Sequence, residues 1–444
     1  SGPMVSGVLC TCLMQESAPR KREWNHSAHF YHHKQKILRL CRVVTKDENM
    51  TLDKRDLVVV SAITAVGLIL RIVFVFLMHA DPLVYDSKMY LLVADGIVNE
   101  APISSFPNGY PLIIALFRSF LPTAQTVTAL LGLNIVLSTA CIPLTYTLGK
   151  LCKFDRWLPI AACSLIAVYP HQLRYAQLVM TETIATFVLL AAMAGALWVW
   201  NHRDKSPISL LPLCVGIGLL FHMTGAIRPS LMLIGLLIPI VFALVARTIK
   251  LPLFILSGFL LGAGLLFVVE KSPLARPPHA FGNNLLISIN SDSNGTEFVA
   301  YPEAQQKTAV KTYIQFALKN PARFLRQRGI SLWELWGPKS LSGYRQEQET
   351  GVVKAIVFLR TVFLLLFIGG LIVYRRKPEL ALIGIPLAVV TAVHVLTFSN
   401  HRFLVPIEPY LFLGSLLAVG TMIVSIKGKV AAPSKSLPVT SPVR

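Results

Sequence analysis

Charge is scarce in this chain, and acidic charge is the scarcer kind. Only 14% of its 444 residues are Asp, Glu, Lys or Arg, with 22 acids against 42 bases. A soluble globular domain carries about 25%, so a water-soluble fold is excluded. Cysteines are few as well: Cys10, Cys12 and Cys41 lie near the N-terminus, and Cys141, Cys152, Cys163 and Cys214 lie in or beside apolar runs. None falls in the longest polar stretch, so no disulfide framework is implied. The sequence also lacks a Gly-x-x-x-x-Gly-Lys phosphate loop, a Gly-x-Ser-x-Gly elbow and a His-Glu-x-x-His pair. Use of ATP or a soluble nucleotide-sugar is therefore unsupported. No internal repeat suggests the inverted halves of a transporter.

What is present is hydrophobic residues, at 54%. About ten stretches approach the roughly 17–25 residues that cross a bilayer: 57–78, 127–149, 157–170, 178–200, 208–226, 230–246, 251–269, 353–374, 379–397 and 404–426. The expected fold is thus an all-α polytopic membrane protein with juxtamembrane helices and a small cap. No apolar core follows the first basic residues until Leu57, so the first span is expected to serve as an uncleaved insertion signal. Residues 1–56 read as a basic cytoplasmic tail without order, with Met50 a candidate native start.

The net charge of +20 sits in that tail and in short connections rather than in a nucleic-acid-binding patch. With the tail inside, Lys150/Lys153/Arg156, Arg203/Lys205, Arg247/Lys250, Arg375/Arg376/Lys377 and the 427–444 tail all face the cytoplasm, as the positive-inside rule requires. The segments 79–126, 171–177, 227–229, 270–352 and 398–403 then face outward. These divide the chain into a 57–269 membrane module with its first outer loop 79–126, a 270–352 cap, and C-terminal spans over 353–426. In the cap, 303–319 reads as a helix stopped by Asn320-Pro321. Arg323–Trp336 reads as an amphipathic one on the outer leaflet.

The unusual residues gather on the outward side. Asp86 and Tyr90, four apart, share one face of a short helix expected over 86–98. Asp86 reads as that helix's N-cap or, at a dry interface, as a base. Asp81, Tyr85, Lys88 and Tyr110 belong to the same loop. Arg402 reads as a snorkelling residue or as the partner of an anion; Arg228, Arg174 and the Arg323/Arg326/Arg328 run lie on the same side and, with Lys88, are candidates to grip phosphate. Arg71 sits inside the first span, where it needs a partner or a route outward, and it joins the candidates to grip phosphate. Glu182 is either a helix-dipole partner or a second acid of the site, and His401 neighbours Arg402. His79, Asp81 and Asp86 offer a divalent cation such as Mg or Mn fewer oxygen ligands than its usual cage.

Taken in order, Asp86-x-x-x-Tyr90 with Ala94, Pro107-Asn-Gly109-Tyr110-Pro111, Tyr169-Pro170 with Glu182, Arg228-Pro229, and Arg402 with Pro406 and Pro409 resemble bacterial family-39-like glycosyltransferases of the GT-C superfamily. These are relatives of the protein O-mannosyltransferases and of the aminoarabinose transferase that modifies lipid A. The resemblance spans residues 57–426. It implies an enzyme of the bacterial inner membrane that passes a sugar from a polyprenyl-phosphate donor to a protein, lipid or glycan hydroxyl on the periplasmic side. It also implies that Asp86 acts as general base or orients the acceptor, and that Arg402 lies near the donor phosphate. The chain departs from the mannosyltransferase branch in lacking an Asp-Glu pair in the first loop. A transporter or flippase of polyprenyl-linked sugars is the rival reading; it calls for polar residues at mid-membrane rather than at one face.

Overall fold

The computed structural model describes residues 53–78, 81–84, 86–99, 109–246, 249–271, 280–290, 299, 301–338, 351–373 and 378–430. The chain divides into a unit of residues 1–54, of which the last two are described, and a unit from Arg55 onward that carries the fold. The basic tail, His79, Tyr85, Pro107, Asn108, the basic residues Arg247 and 375–377, and residues 431–444 lie outside the described residues.

In chain order the helices are α1 (Lys54–Met78), α2 (Ser87–Val98), α3 (Gly109–Arg118), α4 (Thr123–Leu151), α5 (Trp157–Val168), α6 (Pro170–Ala176), α7 (Thr181–Asn201), α8 (Pro207–Ile227), α9 (Met232–Ala246), α10 (Lys250–Lys271), α11 (Ala280–Ser288), α12 (Glu303–Lys307), α13 (Ala309–Lys319), α14 (Pro321–Trp336), α15 (Gly351–Val373), α16 (Pro378–Leu396) and α17 (Glu408–Val430). Single 3-10 turns at Pro229–Leu231 and His401–Ile407 lead into α9 and α17. Among the described residues there is no strand.

Among the described residues eight helical segments are long and apolar enough to cross a membrane, and they match eight of the ten expected spans. The other two are shorter. The 157–170 stretch ends as α5 at Val168, because Tyr169 turns extended ahead of Pro170, which has no N–H to continue the ladder. The 230–246 stretch opens as a 3-10 turn at Pro229 before α9 begins. The cap helix expected over 303–319 is broken at Thr308.

Arg71 explains how the bundle tolerates the α5–α6 break. The break strips the carbonyls of Ile166 and Ala167 of their helical donors. The Arg71 guanidinium supplies replacements at 3.2 Å each, and it also bonds Ser138 Oγ at 2.7 Å and the Gly67 carbonyl at 2.9 Å. A cation inside a membrane helix is thereby satisfied without a counter-ion. Its guanidinium is thus engaged by helix carbonyls and by Ser138 Oγ.

Helix α7 runs through the centre, buried along most of its length. Helices α8 and α10 lie backbone to backbone, since a Cβ on Gly218 would meet the Ile255 carbonyl oxygen at 2.0 Å and one on Gly258 the Val215 oxygen at 2.1 Å. On α1, Ile69, Phe76 and Leu77 remain uncovered, the pattern of a helix that faces lipid. At one end of the bundle, Asp56 is locked by Tyr146 Oη at 2.8 Å and by Arg156, tying the start of α1 to the α4–α5 corner.

The cap is fastened to the other end. Arg328 of α14 donates to the Val395 and Leu396 carbonyls at 2.8 and 2.9 Å and to the Ser288 carbonyl. Tyr313 Oη adds a bond to Leu396 O at 2.8 Å. Arg328 thus closes the C-terminus of α16, where carbonyls are left without helical partners.

Candidate active site

Helix α2 forms as its sequence suggests, but Asp86 makes no side-chain bond to the helix it precedes. Its carboxylate instead accepts a hydrogen bond from Arg402 Nη2 at 2.6 Å. Arg402 is aimed by the 3-10 turn that opens α17: Asn400 Oδ1 caps the turn through the Arg402 N–H, and Arg360 Nη1 holds the His401 carbonyl at 2.8 Å.

A second acid–arginine pair lies deeper. Glu182, in the first turn of α7, meets Arg228 Nη1 at 3.2 Å at the C-terminus of α8. The two pairs differ in access. The Asp86 and Arg402 side chains are 31% and 16% exposed, and those of Glu182 and Arg228 only 2% and 9%.

Tyr90 stands between the pairs. Burial, then the carboxylates of Asp86 and Glu182, push its hydroxyl well above the usual phenol range, partly offset by Arg402 and Arg228. It remains a proton donor. Tyr110 packs edge-on against Tyr90 at 5.2 Å, and its fully buried hydroxyl meets no hydrogen-bond partner among the described residues. Burial likewise raises its pKa. Gly109 makes this possible: a Cβ there would lie 2.5 Å from Ala226 backbone atoms, so only glycine lets the loop lie against the end of α8 beside Arg228.

The remaining candidates fall differently. Asp81 is exposed and accepts from the Leu83 N–H at 2.9 Å, a turn-forming contact. Lys88 is exposed on α2, and Arg174 is half-buried on α6. The His401 ring lies 6.1 Å from that of His171. Tyr85 is outside the described residues.

Sequence reasoning missed several neighbours. Phe403 stacks on His394 at 4.1 Å and carries the guanidinium carbons of Arg228 and Arg402 at 5.1 and 5.3 Å, so one ring aligns both arginines. Behind them Glu408, fully buried, binds His171 Nδ1 at 2.6 Å and Gln172 Nε2 at 2.8 Å, and the same Gln172 nitrogen reaches the Val405 carbonyl at 3.1 Å. The available signal was a carboxylate, Glu408, opening an apolar span six residues after Arg402.

The donor set does not suit a divalent cation. Asp86 and Glu182 each have an arginine as partner, and among the described residues no group of three or more His, Cys, Asp or Glu comes together. A cation would have to displace guanidinium from both carboxylates.

The described residues form an all-α polytopic membrane protein. No protein-family model and no curated protein matches the sequence. Among solved structures the chain is similar to the archaeal oligosaccharyltransferase AglB from Archaeoglobus fulgidus in complex with an inhibitory peptide and a dolichol-phosphate. That match has a TM-score of 0.50 and 14% identity, covering 86% of this chain and 52% of that one. It is also similar to the apo form of the Archaeoglobus fulgidus oligosaccharyltransferase, with a TM-score of 0.52 and 13% identity, covering 88% and 54%. At this identity the likeness is one of fold, and the chain spans about half the length of the structures it matches.

Proposed function

We propose that this protein is a membrane glycosyltransferase that moves a sugar from a polyprenyl-phosphate carrier to an acceptor hydroxyl on a protein, lipid or glycan. The observation that carries the reading is the Asp86–Arg402 contact, which brings a base and a phosphate-binding group together. The solved neighbour that binds dolichol-phosphate supports a lipid phosphate as the carrier.

Lys150, Lys153, Arg156, Arg203 and Lys205 all lie at connections remote by helix alternation from Asp86, Glu182, Arg228 and Arg402. The positive-inside rule assigns that basic end to the cytoplasm. The site then opens to the outer, periplasmic side of a bacterial inner membrane.

In the reaction, Asp86 takes the proton of the acceptor hydroxyl as its oxygen bonds to the anomeric carbon. The bond from that carbon to the phosphate oxygen breaks, and its electron pair leaves with polyprenyl phosphate, whose charge Arg402 stabilises. Glu182 is held by Arg228 and is not free to act as a nucleophile, so a single displacement with inversion follows.

The test is purified protein in nanodiscs given a panel of polyprenyl-phosphate sugars and a membrane extract as acceptor source. Acceptor-dependent release of polyprenyl phosphate supports the reading. Movement of intact lipid-linked sugar across the bilayer, with no bond cleaved, would establish a flippase instead.

A further inference from the structure

The two acid–arginine pairs are chemically alike and structurally unequal, and the inequality says which of them a substrate can open. Glu182–Arg228 is sealed on α7 and α8. Asp86–Arg402 faces the more open side and joins a short loop helix to a 3-10 turn 316 residues away through a hydrogen bond at 2.6 Å. Asp86 is therefore engaged: its Oδ2 accepts a hydrogen bond from the guanidinium that would take the donor's phosphate.

We infer that Asp86–Arg402 is a latch opened by the donor lipid. The phosphate takes Arg402 from Asp86, and the released carboxylate turns to the acceptor hydroxyl. Carboxylate and phosphate compete for one guanidinium, because both present anionic oxygens that accept from its N–H groups. Three consequences follow. Donor binding precedes acceptor activation. Without donor, Asp86 stays turned to Arg402 rather than to the acceptor. And part of the donor's binding energy is spent on breaking the ion pair, so the wild-type protein binds carrier lipid more weakly than a variant lacking that carboxylate. Phe403 keeps Arg402 in place during the exchange, since its ring contact with the guanidinium involves neither Asp86 nor phosphate. Glu182–Arg228 holds the wall behind it unchanged.

The inference rests on the lipid-phosphate reading of the site, and the test separates the two. The affinity of undecaprenyl phosphate is measured in nanodiscs for the wild type, Asp86→Asn and Asp95→Asn. Asp95 lies on the same helix but pairs with Arg118, so it controls for simple loss of negative charge. The latch predicts that Asp86→Asn binds about tenfold more tightly while Asp95→Asn matches the wild type. Wild-type binding with no gain in Asp86→Asn, or an equal gain in Asp95→Asn, overturns the latch and leaves the proposed function standing. No saturable binding to any of the three overturns both.

Discussion

Asp86 and Arg402 are 316 residues apart in sequence and 2.6 Å apart in space. Every element that carries a site residue contributes to that closeness. Gly109 seats the first loop on the end of α8, the Asn400-capped turn aims Arg402, and Glu408 with His171 and Gln172 fixes the turn from behind.

Removing the base is expected to cost more than removing the clamp's finer contacts. Asp86→Asn should lower kcat by about 10²–10⁴-fold with expression and thermal stability near wild type, since its partly exposed side chain makes no helix cap. Steady-state transfer assays beside melting curves check this; normal turnover in the variant removes Asp86 from the mechanism.

Glu182→Ala should behave as a structural lesion. It leaves Arg228 buried without its carboxylate, at a cost of about 3–5 kcal/mol. A loss of folded protein, visible as a broadened size-exclusion profile, is the expected result. A well-folded variant with a specific loss of acceptor use would give Glu182 a direct part in the chemistry.

Arg71→Met tests the helix-break account. The carbonyls of Ile166 and Ala167 lose their donors inside the bundle, at about 1–3 kcal/mol for each group left unpaired. The variant should melt earlier while its donor KM stays at the wild-type value. A raised donor KM with unchanged melting would return Arg71 to the phosphate site.

Much of this fold was legible in the sequence because bilayer crossing imposes length and apolarity on each span, and eight of ten expected ranges hold. The exceptions came from proline: Pro170 and Pro229 cut apolar runs that composition alone joins. In the site, Asp86, Tyr90, Glu182, Arg228 and Arg402 were visible as polar residues stranded beside apolar spans. Their pairing was not, because sequence gives no distance between residues such as Asp86 and Arg402, with fifteen helices between them. Phe403 and His394 went unseen for a different reason: an aromatic ring or a lone histidine in an apolar run looks like ordinary packing. The carbonyl contacts of Arg71 and Arg328 were not legible because a guanidinium that satisfies carbonyls resembles, in sequence, one that waits for an anion.

Positioning of Arg402 from behind yields a separable effect. Glu408→Gln weakens the contacts to His171 Nδ1 and Gln172 that hold the turn, so donor KM should rise several-fold with kcat less affected. Equal falls in kcat with donor KM constant would contradict a positioning role and point to a part in proton transfer.

The central claim is that Asp86 and Arg402 act as one unit, and a double-mutant cycle on the transfer rate tests it most directly. Rates are measured for the wild type, Asp86→Asn, Arg402→Gln and the double variant with a polyprenyl-phosphate sugar as donor. The account predicts that the double variant is no slower than the worse single variant, because each change already disables the shared site. Independent losses that multiply in the double variant would contradict it.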